Sequence, residues 1–147
     1  MKKITTVILA AGKSTRFKHT KSKIFQDLAG IEIIEHVYKV AKEVSHREII
    51  FVCNQDNISE IKKKFPDATS ILQKNQKGTA DAIFCAKKYI KNKNILILFG
   101  DVPLLSLKTI RKLYNSYLKN GSNGSMIAFN AKNPHGYGRV KIKNHKV

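Results

Sequence analysis

Cysteine is scarce: only Cys53 and Cys85 occur, far apart and without CxxC spacing. Two such isolated thiols form no disulfide framework and no metal knuckle, and read as core residues of a reducing compartment. The histidines, at 19, 36, 46, 135 and 145, include no ligand-spaced pair, which disfavours a zinc centre. No apolar run approaches the roughly 20 residues of a membrane span. Met1-Lys2-Lys3 followed by Ile4 to Ala11 has the outline of a secretory leader. Its apolar run is short, however, contains Thr5 and Thr6, and leads into Gly12-Lys13-Ser14-Thr15-Arg16 instead of a small-residue cleavage site. The expectation is a first strand in a cytoplasmic protein with no membrane partner.

Acidic side chains are also few, 10 against 28 basic ones, giving a net charge of +18. Such a balance raises the question of nucleic acid. Arginine is nearly absent, occurring only at 16, 47, 111 and 139, and the lysines are dispersed apart from Lys62-Lys63-Lys64. Groove readers favour arginine for bidentate base contacts, and no RNP, KH, zinc-finger or arginine-rich segment is present. Nucleic acid is therefore a disfavoured partner. The lysines are expected on solvated faces, and their summed field would also favour a small polyanionic substrate.

What the chain does contain is 42% apolar residues over 147 positions, enough for one ordinary core. Apolar runs alternate with helical patterns. Strands are expected at Thr5 to Ala10, Glu48 to Cys53, Ser70 to Gln73, Asn94 to Phe99, Ser125 to Asn130 and Arg139 to Ile142. Between them lie an amphipathic stripe at Ile34, Val37, Tyr38, Ala41 and Val44, and a short helix around Ile58, Ile61 and Phe65 that Pro66 ends. A third helix begins near Gly78-Thr79, and a fourth is marked by Leu107, Ile110, Leu113, Tyr114 and Tyr117. This order predicts an α/β, Rossmann-like three-layer sandwich with a mostly parallel sheet and right-handed crossovers. In such sheets ligands sit beyond the carboxyl ends of the strands. Three loops should then converge: the one after the first strand, the turn 73–80, and Gly100-Asp101.

The first loop spells Gly12-Lys13-Ser14, but a Walker A loop needs a glycine five residues before its GK glycine, and Val7 stands there inside a strand. The dinucleotide fingerprint fails as well, since Gly12 is the only glycine of the three it requires. Small residues at Ala10, Ala11 and Gly12 still permit close backbone approach, and Lys13, Arg16 and Lys23 bring cations to it. Asp101, at the end of a buried strand, offers a hard oxygen to Mg²⁺, or is a turn residue. Gln73 and Gln76 could read a base edge beside the positive end of a helix opening at Gly78-Thr79.

Taken together, "VILAAGKSTRF" with Lys23, "LQKNQKGTADA", "ILILFGDVPLL" and "NPHGYGRVKI" resemble the sugar-1-phosphate nucleotidylyltransferases within the wider MobA-like NTP-transferase group. The resemblance extends to the N-terminal uridylyltransferase domain of the bifunctional UDP-N-acetylglucosamine pyrophosphorylases/glucosamine-1-phosphate acetyltransferases, and covers essentially all of residues 1–147. It implies a domain joining UTP to a sugar 1-phosphate, N-acetylglucosamine 1-phosphate first, with release of pyrophosphate and use of Mg²⁺. Carried over residue by residue, Leu9, Ala10, Ala11, Gly12, Gln73, Gln76, Gly78 and Thr79 would bind the nucleotide. Arg16 and Lys23 would neutralise the reacting phosphates as catalytic residues, Asp101 would hold the metal, and Gly138 would contact the sugar.

The pattern is departed from in places. Phe99 stands where the family usually has tyrosine, Ala80-Asp81 where it has Gly-His, and Ser22 where a proline precedes the lysine matched by Lys23. The family's second metal-binding residue (an asparagine), further sugar contacts and acetyltransferase domain fall beyond the point matched by Val147. The expectation is a domain short at its C-terminus, with an oligomer or a completing chain as a route to the missing wall. Another MobA-like or cytidylyltransferase activity, or a non-catalytic nucleotide- or RNA-binding remnant, are the alternative readings.

Overall fold

A continuously apolar run makes Ile4–Leu9 the first strand, β1, with Ile4 to Ile8 all buried. A 3-10 turn at Lys23–Phe25 follows, then a small antiparallel hairpin of β2 (Asp27–Leu28) and β3 (Ile31–Glu32). Next come α1 (Ile33–Ser45), β4 (Ile49–Cys53), α2 (Ile58–Lys64), β5 (Thr69–Leu72), α3 (Thr79–Ala86), β6 (Asn94–Phe99) and α4 (Leu107–Asn120). These descriptions come from a computed structural model and concern residues 3–12 and 22–142. The chain divides into two compact units, Met1–Leu107 and Lys108–Val147.

In the first unit, β1, β4, β5 and β6 form one fully parallel sheet in the order β5-β4-β1-β6. Successive side chains of a strand point to opposite faces, and both faces here are covered. On one, Phe51 stacks with Tyr38 of α1 and with Phe65 just after α2, at ring centroid distances of 5.9 and 5.0 Å. On the other, Val7, Ile50, Val52 and Ile71 pack with Ala82 and Ala86 of α3. The expected three layers are thus present. The chain winds from β1 through β4 to β5 in one direction, then returns over the opposite face to place β6 on the far side of β1. The strand order therefore reverses between β1 and β6, which is where open α/β sheets leave a crevice.

Several local features fix these elements. The α1 stripe buries Ile34, Val37, Ala41 and Val44, and Lys64 at the end of α2 pairs with Glu32 and Glu35, each at 2.8 Å. Those carboxylates raise the Lys64 pKa above its ordinary value. The β2–β3 hairpin closes through Ala29 and Gly30, both at positive φ (55° and 87°), the geometry of a type I′ turn. Cys53 is fully buried, and burial pushes its thiol up to about 12. Both cysteines are free.

The second unit corrects two sequence expectations. Residues 125–130 and 139–142 form no strand; they are irregular, with Met126, Phe129 and Ile142 exposed by 54, 69 and 71%. β-propensity describes fit to a pleated, half-buried surface and creates no strand without a partner to complete the ladder. Within this unit Phe129 packs edge-on against Tyr137 at 5.3 Å.

Candidate nucleotide-binding site

The crevice at the reversal point begins with the turn leaving β1. Ala10 still donates its N–H to the Val52 carbonyl at 2.8 Å, continuing the ladder for one more residue. The next two carbonyls are taken by side chains. The Ala10 carbonyl accepts from Asn57 Nδ2 at 2.8 Å; the Ala11 carbonyl accepts from Gln76 Nε2 at 2.6 Å and from Asn54 Nδ2 at 3.4 Å. In a planar trans peptide the N–H points opposite to the C=O. The N–H groups of Ala11 and Gly12 are therefore turned away from these amides, as a pair of donors at the strand end.

The asparagines are themselves held. Asn57 is 1% exposed and accepts the Asn54 N–H at 3.1 Å, while Asn54 Oδ1 accepts the N–H groups of Asp56 and Asn57, each at 3.0 Å. The sequence reading passed over this brace. Its available signal was position, since Asn54 directly follows the apolar strand that ends at Cys53, the same end at which the site residues lie.

β6 supplies the opposite side. Gly100 donates to the Leu9 carbonyl at 2.9 Å. A Cβ on Gly100 would lie 3.1 Å from that oxygen and 3.0 Å from Ile34 Cδ1, so glycine is what allows the backbone so close to β1. Asp101 follows, and Lys23 Nζ meets its Oδ2 at 3.2 Å across a solvent-facing gap, with side chains 41 and 48% exposed. Ile24 and Phe25, both buried, anchor the turn that presents Lys23.

The third wall is the β5–α3 connection. Gln73 is 4% exposed and hydrogen-bonded through its backbone N–H to the Cys53 carbonyl at 2.8 Å. Its side-chain Nε2 donates to Asp81 Oδ2 at 2.6 Å. Gly78 precedes α3 at φ 111°, a backbone conformation that favours glycine.

These segments enclose a cavity of about 310 Å³ lined by Leu9, Ala10, Ala11, Gly12, Ile24, Gln73, Gln76, Gly78, Thr79, Ala82, Phe99 and Asp101. Every residue that the sequence suggested for nucleotide binding lines it, and so does Asp101. Lys23 reaches its rim through Asp101. Ile24, Ala82 and Phe99 complete the wall without having been singled out as ligand contacts. Arg16 lies outside the described residues, and Gly138 belongs to the second unit, whereas all the residues lining this cavity belong to the first.

The sequence profile of the MobA-like NTP transferase domain matches residues 6–140. The chain belongs to that family. This NTP transferase domain is thus of the nucleotidyltransferase class. It is 45% identical to the Bifunctional protein GlmU of Buchnera aphidicola subsp. Schizaphis graminum, a match covering 99% of this chain and 32% of that protein. GlmU of Acetivibrio thermocellus is 34% identical over 99% of this chain and 34% of its own length. The chain therefore spans about a third of the curated relatives it matches. The bifunctional IspDF structure from Campylobacter jejuni superposes with a TM-score of 0.69 at 21% identity, covering 80% of this chain and 31% of that one, and shares the fold. Among the described residues of this domain, no helix is long and apolar enough to cross a membrane.

Proposed function

We propose that the domain transfers a uridylyl group from UTP to a sugar 1-phosphate, N-acetylglucosamine 1-phosphate first, and releases pyrophosphate. The observation that carries this reading is the crevice itself. The backbone turn at Ala11 and Gly12 lines a cavity that also holds Asp101, paired with Lys23, and two anchored glutamines, Gln73 and Gln76. The motif resemblance and the GlmU relatives support the choice of substrates.

The chemistry asks little beyond positioning. A sugar-phosphate oxygen forms a bond to the α-phosphorus of UTP as the bond from that phosphorus to the β-phosphate's bridging oxygen breaks, and pyrophosphate departs with the electron pair. The nucleophile is already an anion, so no general base is required. What remains is alignment and neutralisation of charge around the α-phosphate. Ala11 and Gly12 N–H groups would donate to phosphate oxygens, while Lys23 and Arg16 would neutralise them. Gln73, Gln76, Gly78 and Thr79, together with Leu9 and Ala10, would hold the nucleoside, and Gly138 the sugar. The chain as a whole, second unit included, is read as one nucleotidyltransferase domain.

Asp101 suits Mg²⁺. Among the described residues no group of three acidic, histidine or cysteine side chains gathers into a cage, but Mg²⁺ commonly binds through one or two carboxylates together with substrate phosphates. A single exposed carboxylate lining the cavity meets that requirement. The bound cation would supply electrostatic stabilisation of charge developing on the phosphates.

The test is pyrophosphate release from UTP, N-acetylglucosamine 1-phosphate and Mg²⁺, with UTP binding measured alongside by calorimetry. Turnover supports the reading. UTP binding without turnover on any sugar phosphate would leave a nucleotide-binding domain and refute the transfer reaction.

A further inference from the structure

Asp81 does not line the crevice, yet it meets a residue that does. Gln73 Nε2 donates to Asp81 Oδ2 at 2.6 Å and approaches the Gly78 carbonyl at 3.5 Å. Both partners are acceptors only, a carboxylate and a carbonyl. They fix which end of the Gln73 amide lies toward α3: its NH₂ group is held there, and its carbonyl oxygen is turned the other way. Gln73 has little other freedom, being 4% exposed and tied by its main chain to Cys53. The same logic applies to Gln76, whose NH₂ group is held by the Ala11 carbonyl.

We infer that Asp81 is a positioning residue that sets the polarity of base recognition. By holding the amide end of Gln73, it leaves the carbonyl end to the ligand, so the pocket selects a base edge that presents an N–H donor. This rests on the nucleotide reading above and deepens it: among the edges of uracil, the donor is the imide N3–H. A plainer role is open to Asp81, since it sits in the first turn of α3, where a negative charge favours the helix start. That role depends on the charge, whereas positioning depends only on an acceptor at that place. Asp81→Asn separates the two, because an asparagine carbonyl can accept from the same amide without carrying charge.

The experiment is calorimetric titration of the chain with UTP and with 3-methyluridine 5′-triphosphate, which lacks the N3–H. The unaltered chain should bind the methylated nucleotide at least about tenfold more weakly than UTP. Asp81→Ala should weaken UTP binding about five- to tenfold, the scale of one net hydrogen bond, and reduce the penalty for methylation to about threefold or less. Asp81→Asn should stay within about threefold of the unaltered chain for both ligands. Asp81→Ala binding UTP as the unaltered chain does, or Asp81→Asn being as impaired as Asp81→Ala, would overturn the inference while leaving the nucleotide reading intact. A folded, unaltered chain that binds no UTP would remove the nucleotide reading, and the inference with it. Should Asp81→Ala fail to fold, the unaltered chain still decides: equal affinity for the two nucleotides overturns the inference.

Discussion

The two sides of the crevice are built differently. The turn leaving β1 is braced from beneath: the Ala10 and Ala11 carbonyls are held by Asn57, Asn54 and Gln76, and Asn57 is almost fully buried. Asp101, on the other side, is held by a lysine 3.2 Å away in a pair that is nearly half exposed. An exposed ion pair contributes roughly 0–1 kcal/mol, while removing a buried hydrogen-bonding group costs about 1–3 kcal/mol. The fold thus fixes the shape of the backbone cradle and leaves the charges able to exchange partners. That division suits a site whose ligand brings its own negative charge.

The sharpest way to break this contrast is to alter each side in turn. Asp101→Asn should reduce pyrophosphate release on the order of 100-fold and weaken the dependence on Mg²⁺, with the urea unfolding midpoint almost unmoved. An unaltered magnesium titration would leave Asp101 a turn residue only. Asn57→Ala should do the reverse in kind, lowering unfolding stability by about 2–3 kcal/mol because the Ala10 carbonyl and the Asn54 N–H both lose their side-chain partner. Gly100→Ala should follow at about 1–2 kcal/mol, since its Cβ would press on the Leu9 carbonyl and Ile34. A fully stable Gly100→Ala chain with unchanged UTP binding would show that the close approach of β6 to β1 is dispensable.

The smallest effect concerns pH. The Cys53 thiol is raised in the folded chain to about 12 from its ordinary 9.0. The unfolded chain therefore loses this proton first, and the folded chain binds more protons between those values. Stability should be unaffected by Cys53 below about pH 9 and should fall above it, by roughly 1 kcal/mol over the first unit. Comparison with Cys53→Ala in urea titrations at pH 8 and 10 isolates this contribution; equal pH slopes in the two chains would contradict it.

The parallel core was legible because its strands are buried on both faces and therefore read as unbroken apolar runs, as in IIFVC and NILILF. The convergence of the three loops followed from strand order alone. What stayed hidden was set by pairing. The β2–β3 hairpin has only two residues per strand and an Ala-Gly turn without the usual Asn-Gly or Asp-Gly signal. Residues 125–130 and 139–142 carry strand-like composition but have no ladder to join in this structure. The Asn54–Asn57 brace escaped notice for a related reason: nothing local says that an asparagine amide will meet a carbonyl more than forty positions away. In the sequence Asp81 is marked only as a departure from the family pattern, whereas its contact with Gln73 is visible only in the fold.

The central claim is that a nucleotide sits against the β1 turn and is met by the β5–α3 connection. Backbone amide shifts of ¹⁵N-labelled chain, followed by NMR as UTP and Mg²⁺ are added, test it most directly. The account predicts the largest shifts at Ala11, Gly12, Gln73, Gln76, Thr79 and Asp101, saturating together. Shifts that avoid these residues, or that scatter over the lysine-bearing surface without saturating, would contradict it.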